Sequence, residues 1–132
     1  MKIVLDTNIF VSSFFWGGYP QKVFDRVIYG FDELYITNEL IQEISSVMSS
    51  NKFNANIIEI NDYIKIIEKY SKKIVSKKNS ESVSRDKDYD KVLQCGVDGN
   101  VDFIITGDKD LLVLREYKSI KIIKPKDFLE II

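Results

Sequence analysis

The sequence predicts an α/β fold: a three-layer α/β/α sandwich around a central parallel sheet of about five strands. Two observations carry this expectation. The strand candidates are short, continuously apolar runs rather than alternating ones, the pattern of strands covered on both faces. Segments of helical periodicity separate them along the whole chain, and strands joined through helices pair in parallel. The 132 residues, 45% of them hydrophobic and 30% charged, suit one domain spanning 1–132 with a real core.

The first strand is Lys2–Leu5, which ends on Asp6. Thr7–Phe15 reads as helix, and Trp16-Gly17-Gly18-Tyr19-Pro20 interrupts it with two glycines and a proline. Gln21–Tyr29 carries Val23, Phe24, Val27 and Ile28 at helical spacing and stops at Gly30. Leu34-Tyr35-Ile36 is the second strand, and Asn38 is a candidate cap for the helix Glu39–Ser49. A helix near Asn56–Tyr70 puts Ile57, Ile60, Ile64 and Ile67 on one face, and Ile74-Val75 reads as a third, short strand. A polar loop from Lys77 to Asp88 leads to a short helix over Tyr89–Val97. Phe103-Ile104-Ile105 is the fourth strand, Asp108–Leu114 begins a further helix, Ile120–Ile123 is the fifth strand, and Lys126–Ile131 closes the chain.

Composition narrows the chemistry. The 19 basic and 20 acidic residues give a net charge of −1, which argues against a mainly electrostatic nucleic-acid clamp and leaves a local basic groove open. There is no histidine, so Ser-His-Asp and Cys-His catalysis and His-ligated zinc are excluded. The single cysteine, Cys95, cannot form an internal disulfide and fits a reducing compartment. No apolar run approaches a membrane span, and the N-terminus lacks a signal-peptide pattern, so the expected location is cytoplasmic.

In open parallel sheets, ligands bind beyond the carboxyl ends of the strands, where the strand order reverses. Asp6 follows strand one directly and Asp108 follows strand four by two residues. Glu43 in the helix after strand two, and Asp90 in the first turn of the helix before strand four, can face the same rim. Clustered carboxylates repel one another, and a divalent cation relieves that repulsion. All-oxygen ligation selects Mg²⁺ or Mn²⁺, and carboxylate clusters without histidine suit metal-assisted phosphodiester hydrolysis.

The letters around these acids are more specific than their spacing. Asp6-Thr7-Asn8, Asn38-Glu39-Leu40-Ile41-Gln42-Glu43-Ile44, Arg85-Asp86-Lys87-Asp88-Tyr89-Asp90 and Thr106-Gly107-Asp108-Lys109-Asp110-Leu111 occur in that order. This set resembles the PIN-domain nucleases, in particular a bacterial toxin-like branch. Phe10–Gly18 and Pro125-Lys126-Asp127-Phe128-Leu129 add to the likeness, which covers essentially the whole chain. The resemblance implies four catalytic, metal-holding acids at Asp6, Glu43, Asp90 and Asp108, with Thr7, Asn8 and Thr106 supporting them. It also implies a Mg²⁺- or Mn²⁺-dependent ribonuclease acting on single-stranded or loop RNA, leaving a 5′-phosphate and a 3′-hydroxyl. A toxin role, a protein antitoxin and a homodimer complete the expectation. Two departures flank the third acid: Lys87 stands where the branch usually has proline, and Tyr89 where it has another acid.

Plainer readings stand beside these. Asp6 is also a fitting helix cap, and Asp86, Asp88 and Asp110 read as loop or cap residues. Asp98 and Asp102 flank the turn Gly99-Asn100, and Cys95 reads as core. Glu39 competes with Glu43 for the second acid. The stripe Leu40, Ile41, Ile44, Val47, Met48 centres about 100° from Glu43 and about 140° from Glu39, so Glu43 borders the core. A basic run, Lys65 to Asn79, carries six lysines and one Glu and is a candidate rail for a phosphate backbone, with a solvated helix face as the plain alternative. Two other classes stay open. A phospho-receiver shares the size and Lys124-Pro125, yet Ser76-Lys77-Lys78 follows strand three where it needs an aspartate. A PIN-like binding module that does not cleave is the other; a haloacid-dehalogenase-like phosphatase fails because Asn8 stands where it needs an acid.

Overall fold

The computed structural model describes residues 1–76 and 87–132, with side chains from Lys91 onward in the second span. Along the chain lie β1 (Lys2–Leu5), α1 (Thr7–Phe15), α2 (Gly18–Ile28), β2 (Glu33–Ile36), α3 (Asn38–Met48), α4 (Ile57–Tyr70) and β3 (Ser71–Lys73). They are followed by α5 (Lys87–Asp98), β4 (Phe103–Ile105), α6 (Lys109–Leu112), β5 (Glu116–Tyr117), β6 (Ile120–Ile123) and α7 (Pro125–Ile131).

The strands form one sheet in the order β3-β2-β1-β4-β6-β5. All pairings are parallel except β5 with β6. Val4 of β1 lies opposite Ile104 of β4, and both are fully buried, as the central apolar runs require. Successive strand residues point to opposite faces. Phe103 meets Phe128 of α7 edge-on, with ring centroids 5.3 Å apart, while its neighbour Ile104 faces α5 at Gly96. Helices therefore cover both faces, and the expected three-layer sandwich is present.

A Cβ on Gly96 would stand 2.9 Å from Ile104 Cδ1, so this glycine sets the close approach of α5 to the sheet. On the other face α7, α2, α1, α3 and α4 pack side by side in that order. The carboxylate of Asp32, fully buried, accepts hydrogen bonds from Arg26 Nε (2.7 Å) and the terminal amine (3.3 Å), which tie α2 to the start of β1. Among the described residues, no helix is long and apolar enough to cross a membrane.

Several boundaries differ from the sequence expectation, each for a local reason. The third strand is Ser71–Lys73 rather than Ile74-Val75. Register with β2 selects it: Lys72 lies opposite Tyr35, and Val75 beyond it is 90% exposed. A charged edge strand also blocks further pairing. The added strand β5 forms a hairpin with β6 through Lys118 and Ser119, both at positive φ, as a primed two-residue turn demands. Neither residue announces that turn, which is why the sequence shows only five strands. Thr37, not Asn38, caps α3, accepting from the Leu40 amide at 3.3 Å, and Asn56 caps α4. Helix α2 begins at Gly18, three residues before the apolar periodicity starts.

Candidate active site

Strand order reverses at β1. From β1 the chain runs outward to β2 and β3, then crosses to β4 on the opposite side of β1. The carboxyl ends of β1 and β4 therefore border a switch point, the place where open α/β sheets leave a crevice. Asp6 stands at the end of β1, and its amide donates to the Ile105 carbonyl of β4 at 3.0 Å. The fully buried Thr106 donates its hydroxyl to Asp6 Oδ2 at 2.7 Å and accepts from the Asp108 amide at 3.0 Å. One threonine thus fixes both aspartates.

Glu43 arrives from α3. Thr7, the first residue of α1, donates its hydroxyl to Glu43 Oε2 at 2.8 Å, which holds α3 against the end of β1. Glu39, one turn earlier, is exposed at the helix start, where the positive end of the dipole favours an acid. Asp108 caps α6, accepting from the Asp110 amide at 2.9 Å. Asn8 is exposed and lines a cleft together with Asp108. Asp6, Glu43, Asp108, Thr7, Asn8 and Thr106 thus gather at one rim. Asp90 lies on α5, and its side chain falls outside the described residues, as do the side chains of Asp86, Lys87, Asp88 and Tyr89.

Burial raises the Asp6 pKa above its ordinary 3.8; hydrogen bonds from Thr106 and the Thr7 amide pull it down, and the charges of Asp108 and Glu43 push it up again. Among the described residues no lysine or arginine pairs with Asp6 or Glu43. At Asp6 this is a carboxylate held largely out of water with no cation paired to it among the described residues. Among the described residues, no three acids or thiols stand close enough to ligate a single ion directly. The donors nonetheless fit a hard divalent cation in chemistry and charge. Mg²⁺ binds through one or two carboxylates and keeps several waters, so direct convergence of three side chains is not required.

Other acids have structural partners. Asp102 accepts from the Lys2 amide at 2.9 Å, and Asp98 from Gln94 Nε2 at 2.9 Å. Burial, helped by the charges of Asp98 and Glu39, pushes the Cys95 thiol up to about 12, which leaves it an inert core residue. The basic run is partly neutralised where it is described. Lys72 pairs with Glu33 at 3.2 Å and Lys73 with Glu68 at 3.1 Å, on an edge strand two positions from β1; Lys77 and Lys78 lie outside the described residues. Lys109, Lys124 and Lys126 instead line the cleft beside Asp108. Sequence spacing does not single them out, because they sit on separate segments that only the fold joins.

Comparison with known proteins agrees with this fold. A family model described as the PIN domain matches residues 2–110. An uncharacterized protein of Methanocaldococcus jannaschii is 29% identical over 141 residues, spanning 98% of this chain and 90% of its own. Among solved structures, VapBC2 from Rickettsia felis bound to a DNA fragment from its promoter superposes with a TM-score of 0.63 at 11% identity, over 92% of this chain and 97% of that one. With the motifs, the sheet order and a match over most of its length in agreement, this chain belongs to the PIN domain family.

Proposed function

We propose that this protein is a Mg²⁺- or Mn²⁺-dependent endoribonuclease that cleaves single-stranded or loop RNA. The carrying observation is the constellation at the β1–β4 switch point, where Thr106 links Asp6 to Asp108 and Thr7 holds Glu43 beside them. Asp6, Glu43, Asp90 and Asp108 would hold the metal, directly or through water. When bound, the metal supplies a Lewis acid that polarises the phosphoryl oxygens and makes water nucleophilic at neutral pH. The chain's own residues prepare the site for it. Thr106 and Thr7 orient the carboxylates, and burial of Asp6 lowers the local dielectric, which strengthens every charge interaction there. In-line attack would leave a 5′-phosphate and a 3′-hydroxyl.

A toxin role with a protein antitoxin, in a cytoplasmic setting, is the corresponding biological reading. It rests on the motif resemblance to the toxin-like branch. A phospho-receiver is disfavoured by topology, since such modules order their strands 2-1-3-4-5 whereas here β3 lies outside β2. A non-cleaving binding module is separated by assay. Purified protein with Mn²⁺ is expected to cut unstructured RNA. Asp6→Asn, Glu43→Gln and Asp90→Asn should each slow cleavage by at least ~100-fold with the fold intact, the scale of removing a charge that acts in the transition state. Glu39→Gln should match the wild type. No metal-dependent cleavage by the wild type, or loss with Glu39→Gln in place of Glu43→Gln, would overturn the assignment.

A further inference from the structure

A cleft of about 800 Å³ opens next to the carboxylates, between the α1–α2 junction and the chain segments that leave β4 and β6. This is within the ~300–1,000 Å³ typical of ligand clefts. Its floor is apolar, from Ile9, Pro20 and Pro125. Its rim carries Lys109, Lys124 and Lys126, all exposed, and among the described residues none of the three makes an ion pair. Tyr19 completes the wall, 47% exposed, with Lys22 Nζ 5.5 Å from its ring centroid.

The placement of Tyr19 is a consequence of the two preceding glycines. Gly17 has φ +74 and ψ −121, and Gly18 has φ +64, conformations that L-residues avoid. They let the chain turn sharply out of α1, so that the first turn of α2 presents an aromatic ring beside the site. The acids alone explain none of this: a half-exposed aromatic ring and three cations do nothing for metal binding, and the cations would weaken it.

We propose that this cleft binds the stretch of single-stranded RNA flanking the scissile phosphate, with one base stacked on Tyr19 and its phosphates held by Lys109, Lys124 and Lys126. This rests on the nuclease reading above and gives its substrate a path. A polyanion matches lysines that make no ion pair among the described residues, and Asp108 and Asp110 on the same wall keep the backbone toward the lysine side. A base reaches Tyr19 only when it is unstacked from its neighbours, which selects single strands over duplexes. Stacking tolerates every base, so the subsite favours single-strandedness rather than a particular sequence.

The test is metal-free binding of a short fluorescein-labelled single-stranded RNA, followed by anisotropy across a salt series, with cleavage in Mn²⁺ measured separately. Tyr19→Ala should weaken binding about tenfold, and Tyr19→Phe should retain it, because stacking needs the ring and not the hydroxyl. Lys124→Ala with Lys126→Ala should lower the slope of log affinity against log salt by about 1.4, at about 0.7 per phosphate contact. Lys72→Ala with Lys73→Ala should change neither quantity. In Mn²⁺, Tyr19→Ala should raise KM and leave kcat near wild type. Unchanged binding and KM in Tyr19→Ala, equal affinity for duplex RNA, or capture of an acidic peptide without RNA would each overturn the subsite. Tyr19-dependent binding without any cleavage would sustain the subsite and sink the nuclease reading, so the two fail separately.

Discussion

Thr106 is a single hydroxyl with two duties. It donates to Asp6 and accepts from the Asp108 amide while fully buried, so Thr106→Val keeps the shape and orphans both partners. Leaving such groups unpaired costs about 1–3 kcal/mol, which urea unfolding should read. The same change removes the bond that pulls the Asp6 pKa down, so the acid limb of Mn²⁺-dependent cleavage should move to higher pH. Asp6 itself predicts a gain. Its folded pKa lies above the unfolded value near 3.8, so the folded state binds that proton more tightly. The contribution is full below the unfolded value and is lost as pH rises through the folded one. At neutral pH, metal-free Asp6→Asn should therefore melt higher than the wild type, by roughly 2–8 °C for each kcal/mol recovered. Mg²⁺ or Mn²⁺ should raise the wild-type melting temperature by mass action and the variant's by less. A variant that melts lower in EDTA would contradict the charge-repulsion account.

At the scale of elements, the α1–α2 junction is the most informative. Gly17 sits at φ +74 and ψ −121, and a Cβ there would also meet Gln21 Oε1 at 2.8 Å. Gly17→Ala should cost about 1–3 kcal/mol of stability in urea unfolding, with the helical circular dichroism retained, because the strain is local. The break itself was legible from Gly17-Gly18 and Pro20, whereas its outcome, a ring facing the acidic rim, was not. The choice of Glu43 over Glu39 also came from helix geometry, since the apolar stripe of α3 dictates which acid borders the core. Strand β3 shows the opposite case. Its residues, Ser71-Lys72-Lys73, carry no apolar signal and become a strand by pairing with β2.

At the scale of the whole molecule, an apolar region around Trp16 lies without cover among the described residues. Trp16 is 70% exposed and packs edge-on and tilted against the stacked pair Phe15 and Phe53, and Ile58 at the start of α4 is 67% exposed. Helix faces of this kind suit the centre of an interface, and two-fold pairing is the commonest symmetric assembly. The expected assembly is a homodimer at micromolar concentration, weakened by Trp16→Ala, as read by sedimentation. A wild type that remains at 15.3 kDa would overturn the dimer and leave the active-site predictions standing.

Sequence by itself determined the class of fold, because continuous apolar runs and helical periodicity are local patterns with one efficient way of burying both faces of a sheet. It excluded imidazole chemistry as well: a chain without histidine offers carboxylates, hydroxyls, lysines and a single cysteine. Tertiary structure decided what lies next to what. The crossing of the chain from β3 to β4 brings Thr106 to Asp6 across 100 residues, and Lys109, Lys124 and Tyr19 meet at one cleft from three separate segments. Such adjacency depends on strand order and register, which are fixed by the packing of the whole core and not by any window of sequence.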